Sequence, residues 1–309
     1  MNAVEIKNLT KNFGSKQAVK GLNMTVPMGA IYGFIGENGS GKSTTEKLIC
    51  GLIVPNGGSI RLFGKDYTDE AARAKVGCLI EFPGCYPNYS VWNNLMLQAA
   101  NLGLKHPADE VRKVLRLVRM DGSASNKFKN CSLGMKQRIG IAMALLGDPL
   151  LLILDEPING LDADGMRIMR EVLVDITKNK GCTVIISSHL LGELEKIATH
   201  YGIIRGGKML CEMTAEELEA DCPTYTALRV KDTNRAKAIL SCKYSRVEED
   251  ATGYIRVYDN AMPEDIAACV HENGIPVCEL RTAKIKLEEY YIDLMEKKGG
   301  RPIWNILID

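Results

Sequence analysis

The sequence has 309 residues, with 39 Lys and Arg against 38 Asp and Glu, and a formal net charge of +1. At about 100–200 residues per domain this length predicts two domains. A composition of 46% hydrophobic and 25% charged residues is ordinary for globular proteins, which excludes disorder, collagen and coiled coil as the main architecture. The near-neutral charge also argues against a general nucleic-acid binder, since such proteins usually carry a basic excess.

No segment is apolar for long enough to predict a membrane span. The best candidate, Ile139–Gly147, is nine residues long, whereas a spanning helix needs about 20. The N-terminus lacks the apolar core of a secretory signal, and the ten cysteines form neither C-x-x-C pairs nor metal-ligand spacings. We therefore expect a soluble intracellular protein with reduced thiols, which would serve a membrane only through a partner.

A glycine-rich segment, Gly36–Thr44, lies between a predicted buried strand at 30–35 and a predicted helix at Thr44–Cys50. It fits G-x-x-x-x-G-K-[ST], the phosphate-binding P-loop or Walker A sequence. Its glycines let backbone N–H groups face an anion, and the helix N-terminus adds positive partial charge. Lys42 would reach the β- and γ-phosphates, and Ser43 would coordinate Mg²⁺. The predicted nucleotide-binding residues of this loop are Gly36, Glu37, Asn38, Gly39, Ser40, Gly41, Lys42, Ser43 and Thr44.

A second element of the same chemistry follows the apolar run Leu150–Leu154, which predicts a central parallel strand buried on both faces. Asp155, at the end of this run, fits the Walker B carboxylate that holds Mg²⁺. Glu156 fits a general base that polarises the attacking water. With a P-loop upstream, the acidic pair predicts nucleoside triphosphate hydrolysis rather than a simple strand cap.

Three further motifs complete a recognisable order: Cys131–Arg138, Asn159–Asp162 and Ser187–His189. Over residues 4–215 the chain resembles the ATP-binding cassette (ABC) ATPases, with Walker A, signature, Walker B, D-loop and switch histidine in sequence. Kinases and small GTPases lack the signature and the histidine. The resemblance implies an α/β fold, a P-loop ABC ATPase cassette at residues 1–215 with an antiparallel β lobe over the adenine and a helical subdomain at 87–148.

The resemblance also implies roles for individual residues. Ser132 and Gly134 would hold the γ-phosphate of ATP bound to another subunit. His189 would contact that γ-phosphate, although a lone histidine after a strand is more often structural. Asp162 would lie at the seam of a dimer. Since one chain supplies one P-loop and one signature, two ATP sites require two cassettes, and a homodimer is the simplest arrangement.

The adenine base has two candidate partners in this resemblance. Phe13 stands where the family places an aromatic residue, usually tyrosine, whose flat face stacks on the base. A core phenylalanine is the alternative for this position. Val19 is a weaker candidate for contact with the same base.

The signature departs from the usual L-S-G-G-Q at three of five positions. Cys131, Leu133 and Met135 replace the leucine, the first glycine and the glutamine. Ser132 and Gly134, which the resemblance places on phosphate, are retained.

A more informative departure is Glu81, which follows the predicted strand Val76–Ile80 where the family has a glutamine. An amide both donates and accepts hydrogen bonds, whereas ionised glutamate only accepts but can ligate Mg²⁺. The segment Glu81–Ser90 resembles the E-loop of bacitracin-resistance and lantibiotic-immunity ABC transporters, which export or expel peptide antibiotics. A neutral substitution in a generic transporter cassette is the alternative.

The E-loop carries three aromatic residues, Phe82, Tyr86 and Tyr89. In the family this region meets a cytoplasmic coupling helix of the membrane permease, and exposed aromatics are typical interface anchors. Packing of two of them inside the helical subdomain is an equal alternative. The resemblance places the protein at the cytoplasmic face of the cell membrane, as a peripheral subunit.

From residue 216 to 309 the pattern predicts an accessory α+β domain. Strands are predicted at Tyr225–Val230, near Tyr254–Tyr258 and at Pro276–Leu280, with helices at Asn234–Leu240, Glu264–Asn273 and Leu287–Glu296. If Ser245–Glu249 is also a strand, the order β-α-β-β-α-β is ferredoxin-like. The last helix, with Tyr290 and Tyr291, would either seal the small core or contact a second chain.

The leading hypothesis is an ATP- and Mg²⁺-dependent ATPase subunit of a transporter that exports antimicrobial peptides, partnered by a second cassette and a multi-span permease, without nucleic acid. A transporter cassette for another cargo is the first alternative. A soluble ABC ATPase acting on ribosomes or DNA is less favoured, because neither a second cassette nor a coiled-coil insertion is visible.

Overall fold

The computed structural model describes residues 1–250, 252–259 and 262–296. The chain divides into two compact units, with the boundary between Ala215 and Glu216. Residues 297–309 of the predicted accessory domain lie outside the described residues. Within the described part of the chain, no helix is long and apolar enough to cross a membrane.

The first unit contains two sheets with helices packed around them. Its strands are β1 (Asn2–Phe13), β2 (Lys16–Pro27), β3 (Ile31–Ile35), β4 (Gly57–Leu62), β5 (Lys65–Asp66), β6 (Val76–Leu79), β7 (Leu151–Asp155), β8 (Thr183–Ser188), β9 (His200–Arg205) and β10 (Lys208–Thr214). Its helices are α1 (Lys42–Ile49), α2 (Glu70–Arg73), α3 (Val91–Asn101), α4 (Pro107–Leu117), α5 (Leu133–Leu145), α6 (Ala163–Lys180) and α7 (Leu191–Leu194), and α8 (Ala215–Asp221) spans the boundary.

The central sheet has the order β10-β9-β3-β8-β7-β6, parallel except for β10. Its middle strands are continuous apolar runs, because a parallel strand is covered by other elements on both faces. The register pairs Ile35 with Ser188 and Asp155 with Ser187. The carboxyl ends of β3, β7 and β8 therefore meet at one edge of the sheet, which is the edge that carries the predicted chemistry.

The second sheet, β2-β1-β4-β5, is the predicted antiparallel lobe. Its first two strands, β1 and β2, are 12 residues each. They pair along most of their length, with irregularities in register that interrupt the strict alternation of buried and exposed residues. The broken alternation in the sequence is therefore a sign of bulges within one long hairpin and not of separate strands.

Helices α3, α4 and α5 lie within residues 87–148 and pack against one another. Ser90 caps α3 by accepting a hydrogen bond from Asn93 N–H, and α4 begins with Pro107, a favoured first helical residue. Helix α4 buries Val111, Val114 and Leu115 on one face. This helical block holds the signature segment at the start of α5.

The second unit contains β11 (Thr224–Val230), α9 (Thr233–Lys243), β12 (Val247–Glu249), β13 (Ile255–Val257), α10 (Pro263–Glu272), β14 (Val277–Lys284) and α11 (Leu287–Glu296). Its antiparallel sheet has the order β12-β13-β11-β14. The strand on which the ferredoxin-like order depended is present as β12, so this arrangement is confirmed. Helix α11 buries Tyr290 and Leu294 and leaves Ile292 exposed, so one face of it packs within the described residues.

Candidate functional site

The P-loop and the acidic strand end line one cleft of about 280 Å³, here called the P-loop cleft. The P-loop follows β3, and the acidic pair stands at the end of β7. The carboxyl ends of these two strands lie at the same edge of the central sheet, so the two predicted segments come together. The residues that line the cleft are Phe13, Lys16, Ala18, Asn38, Gly39, Gly41, Lys42, Ser43, Thr44, Asp155 and Glu156.

The P-loop turns tightly before α1, and its glycines are required there. Gly39 and Gly41 have φ values of +79° and +113°, a region that side-chain-bearing residues rarely adopt. A Cβ atom at Gly36 would lie 2.5 Å from the Ile204 carbonyl oxygen, and one at Gly41 would lie 2.8 Å from the Ala18 carbonyl oxygen. Gly36 therefore supports the loop from beneath and does not line the cleft.

Lys42 places a buried cation at the centre of the P-loop. Its Nζ donates hydrogen bonds to the carbonyl oxygens of Gly36 at 2.6 Å and Glu37 at 3.3 Å. Only its end can meet a ligand in the cleft, because the side chain is almost fully buried. The arrangement suits a polyanion, whose charge the ammonium and the N-terminus of α1 would meet together.

The acidic strand end is held by β8. The Ser187 hydroxyl donates to Asp155 Oδ1 at 2.7 Å, and Glu156 N–H donates to the Ser187 carbonyl oxygen at 3.1 Å. Glu156 Oε2 lies 2.8 Å from His189 Nδ1. The structure therefore joins the predicted base and the predicted switch histidine by a direct hydrogen bond, and it orients Asp155 through a buried serine.

The donor set of the cleft fits Mg²⁺. The Ser43 hydroxyl and the Asp155 carboxylate are both oxygen donors, and Mg²⁺ is usually held by one or two carboxylates together with phosphate and water oxygens. Among the described residues, no group of three or more His, Cys, Asp or Glu would hold a metal by itself. A cation in this cleft would therefore depend on phosphate oxygens of the bound nucleotide.

Of the two residues predicted to contact adenine, the structure places one, Phe13, in the P-loop cleft. Phe13 is 51% exposed and lines the cleft, so the core alternative is wrong for it. Val19 is fully buried in the apolar core, and its neighbour Ala18 lines the cleft instead, because successive side chains of a strand point to opposite faces. The structure does not bring the Val19 side chain into the cleft, and its contact with the base stays a prediction.

Glu81 does not join Ser43 and Asp155 in this structure. Its carboxylate accepts a hydrogen bond from Lys47 Nζ at 2.7 Å, and it does not line the P-loop cleft. This hydrogen bond and the positive charge of Lys47 hold the pKa of Glu81 below its usual value. The predicted metal contact of Glu81 is absent from this arrangement, because Lys47 on α1 takes the place of the cation.

The signature and D-loop residues lie outside the P-loop cleft. The Ser132 hydroxyl caps α5 by accepting from Met135 N–H, and the Asp162 carboxylate caps α6 by accepting from Gly165 N–H. Leu133 packs on the D-loop, since a Cβ atom at Gly160 would lie 2.9 Å from its Cδ2 atom. Within one chain these motifs therefore contact each other, and the cleft does not contain them.

The aromatic residues of the E-loop are all exposed, Phe82 at 82%, Tyr86 at 55% and Tyr89 at 49%. The rings of the two tyrosines lie 5.2 Å apart. Buried Asn94 fixes this segment, because its Oδ1 atom accepts a hydrogen bond from Tyr86 N–H at 2.7 Å. The alternative in which two of the three aromatics pack inside the helical block is wrong.

Sequence reasoning missed Glu46, which lies on α1 beneath the P-loop. Both carboxyl oxygens are buried, and the Ser187 side chain and the Lys42 ammonium are the groups that favour the charged form of Glu46. Burial, and then the negative charge of Asp155, raise the pKa of Glu46 to about 8. Its only sequence signal is its position, one helical turn after Lys42, on the face of α1 that packs on the sheet.

Comparisons with known proteins agree with this geometry. The family model described as ABC transporter matches residues 19–159. The bacitracin transport ATP-binding protein BcrA of Bacillus licheniformis is 36% identical over 307 residues, covering 97% of this chain and 98% of that protein. The lantibiotic transport ATP-binding protein SrtF of Streptococcus pyogenes is 39% identical over 209 residues, covering 68% of this chain and 90% of that protein.

Among solved structures, cbiO1 from Clostridium perfringens, described as part of an ABC transporter complex, has a TM-score of 0.65 and 27% sequence identity. It covers 71% of this chain and 91% of the other. An ATP-binding subunit of another ABC transporter has a TM-score of 0.62 and 29% identity. The predicted cassette fold is thereby confirmed, and the chain belongs to the ABC transporter ATP-binding family, whose ATP hydrolysis is coupled to transport.

Proposed function

We propose that this chain is the ATP-hydrolysing subunit of an exporter that expels antimicrobial peptides of the bacitracin or lantibiotic type. The observation that carries the proposal is the match to a bacitracin transport protein along 97% of this chain, because it includes the second unit as well as the cassette. Glu81 at the start of the E-loop agrees with this subgroup. A different cargo is the alternative, and no described feature favours it.

In the proposed site, ATP occupies the P-loop cleft. Phe13 stacks on the adenine, Lys42 meets the β- and γ-phosphates, and Ser43 and Asp155 hold the metal. When bound, Mg²⁺ would neutralise negative charge on those phosphates. The hydrogen bond from Ser187 keeps one oxygen of Asp155 occupied, so the other oxygen is available.

Hydrolysis requires a base beside the γ-phosphate. Glu156 is the proposed base, since its carboxylate can accept a proton from the attacking water. His189 fixes the Glu156 carboxylate by the 2.8 Å contact, and its own side chain is exposed to solvent. The two residues thus act as a pair, with one moving the proton and the other holding the acceptor in place.

Ser132, Gly134 and Asp162 act, in this proposal, across a dimer. Ser132 and Asp162 are exposed and lie outside the chain's own P-loop cleft. A second copy of the chain could therefore present them to the γ-phosphate and complete each ATP site. A homodimer needs no further component, whereas a different cassette would have to supply the same groups.

The proposed permease contact is the exposed aromatic group of the E-loop, Phe82, Tyr86 and Tyr89. Aromatic side chains on a fixed segment bury a large area at a small entropic cost, which suits a helix of a multi-span membrane partner. This contact would place the protein at the cytoplasmic face of the membrane. ATP-driven closure of the dimer would then move the permease.

Deletion of the gene in its native host, followed by measurement of growth in bacitracin and in a lantibiotic, tests the cargo. We expect increased sensitivity to one of these peptides, restored by the wild-type gene but not by one encoding Glu156→Gln. Unchanged sensitivity to both would contradict the peptide proposal. Purification from detergent extracts separates the classes, because a multi-span partner supports transport whereas ribosomes or DNA would contradict it.

A further inference from the structure

Two cysteines of the first unit, Cys50 and Cys78, lie together although they are 28 residues apart in the sequence. Both line a cavity of about 380 Å³, which Arg73 also lines. Cys78 is exposed and Cys50 is half-buried. Both side chains face this cavity, and the interaction between the two thiols raises the pKa of Cys50 and lowers that of Cys78.

Both cysteines are held on rigid backbone. Cys50 ends α1, and its N–H donates to the Glu46 carbonyl oxygen at 3.0 Å. Cys78 lies within β6, where its register partner on β7 is Ile153. A thiol pair held in this way loses little entropy when it is joined, because its backbone is already ordered.

The chemistry of Cys78 suits attack on an oxidant. The hydrogen bond from Cys50 lowers the pKa of Cys78 below its usual value, and the thiolate is the reactive form of cysteine. Exposure of Cys78 gives small oxidants access, and the half-buried Cys50 beside it can act as the resolving thiol.

We propose that Cys50 and Cys78 form a redox-sensitive pair that peroxide converts to a disulfide. The Cys78 sulfur attacks one peroxide oxygen, so that an S–O bond forms, the O–O bond breaks and hydroxide leaves as water with the thiol proton. The Cys50 sulfur then displaces hydroxide from that sulfenic acid, and its own proton completes a second water. The two thiols lose two electrons, and hydrogen peroxide is reduced to two water molecules.

The disulfide would tie α1 to the strand that leads into the E-loop. Lys47 and Glu81 already join these segments by an ion pair at 2.7 Å, and each lies three residues from one of the cysteines. A covalent link beside this ion pair would keep Glu81 on Lys47 and away from the P-loop cleft. Because Glu81 is the predicted third oxygen ligand of Mg²⁺ and begins the E-loop, holding it in place would slow ATP hydrolysis, a consequence that rests on the proposed function and on that predicted ligand role.

The test is oxidation of the reduced full-length protein with hydrogen peroxide, followed by alkylation, digestion and mass spectrometry. We expect a Cys50–Cys78 cross-linked peptide that has lost two hydrogens and disappears on reduction with dithiothreitol. Cys78→Ser should abolish it. Cys242→Ser and Cys278→Ser are matched controls, because both thiols are exposed and lie in the other unit. Alkylation of both Cys50 and Cys78, or their pairing with other thiols, would overturn the proposal.

The second readout is ATP hydrolysis before and after oxidation. We expect loss of activity in the wild type, recovery with dithiothreitol, and no loss in Cys78→Ser. A mapped disulfide with unchanged ATP hydrolysis would overturn the link to Glu81. Absence of ATP hydrolysis in the reduced protein would contradict the proposed function instead, and the mapped disulfide would still stand on its own.

Discussion

The P-loop region and the sheet of the second unit differ in the groups that surround their buried or partly buried ionisable side chains. Beneath the P-loop, both oxygens of Glu46 are buried, and burial outweighs the hydrogen bond from Ser187 and the charge of Lys42. In the second unit, Arg256 is paired with Asp250 at 3.0 Å and Glu289 at 2.7 Å, and it lies 4.7 Å from the ring centre of Tyr225. Burial without enough counter-charge favours the neutral form of a carboxyl, whereas paired charges can remain ionised, so the first arrangement suits a neutral Glu46 and the second stabilises the fold of the second unit.

The pKa values express the same contrast. Burial, and then the charge of Asp155, raise the pKa of Glu46 to about 8. Burial also opposes ionisation of Asp250, but hydrogen bonds from Thr252, Tyr254 and Arg256 overcome it and lower the pKa of Asp250 to about 2. One carboxyl is therefore neutral in the folded chain at neutral pH, and the other is a fixed anion.

The largest expected effect is on the chemistry of the P-loop cleft. Glu156→Gln removes the proposed base but keeps the shape of the side chain, so ATP hydrolysis should fall by about 10³-fold while ATP binding is retained. Phosphate release and equilibrium binding measure the two quantities. Light scattering in the presence of ATP should show the variant as a dimer. A monomer at every protein concentration would contradict the homodimer proposal.

The network of the second unit can be broken by Arg256→Met, which leaves Asp250 and Glu289 without their cation. We expect a loss of about 2 kcal/mol in the free energy of unfolding, because removal of Arg256 leaves the two partly buried carboxylates without their cation, and partial exposure screens them. Urea denaturation followed by spectroscopy measures it. Lys284→Met is the control, because its ion pair with Glu219 is exposed and should contribute little. Equal losses in the two variants would contradict the role given to Arg256.

Glu46 predicts a pH dependence of stability in the protein without nucleotide. Its pKa is about 8 in the folded chain and near 4.5 when unfolded, so the folded state binds the extra proton between these values. The contribution is fully present below pH 4.5 and is lost as the pH rises to 8, with a slope of at most about 1.4 kcal/mol per unit. Thermal unfolding at several pH values should show this loss in the wild type but not in Glu46→Gln. Parallel profiles for the two proteins would refute it.

The smallest expected effect concerns the exposed ring of Phe13. Phe13→Ala should weaken ATP binding by about tenfold, since stacking of one base on an aromatic side chain is worth about 1–3 kcal/mol. Phe13→Tyr keeps the flat face and should bind normally. Titration with ATP and with inorganic triphosphate distinguishes the base from the phosphates, and an equal loss for both ligands would rule out stacking.

Much of the site was predictable because its residues follow continuous apolar runs. Such runs are typical of buried parallel strands, and the carboxyl ends of parallel strands meet, so Lys42, Asp155 and His189 could be placed at one edge. The order of strands in the second unit was predictable from alternation and turns. Both results depend on local patterns of the sequence.

The remaining features depend on contacts that local patterns do not carry. Glu46 has an ionisable side chain and resembles a surface residue until the packing of α1 is known. Glu81 and Lys47 are 34 residues apart, so their ion pair was invisible in the sequence. Val19 lies in an irregular strand, where a shift of one residue exchanges the buried and the exposed face.

The contact of Leu133 with Gly160 has a consequence for communication between sites. Gly160 has a φ of +73°, and Leu133 packs directly on the turn that leads to Asp162, so the signature segment and the D-loop are in contact within one chain. In the proposed dimer, Ser132 and Gly134, which flank Leu133, hold the ATP of one site while Asp162 borders the seam. Binding of ATP at one site could thus change the position of the D-loop at the other site. The two ATP molecules would then be hydrolysed in a coupled way.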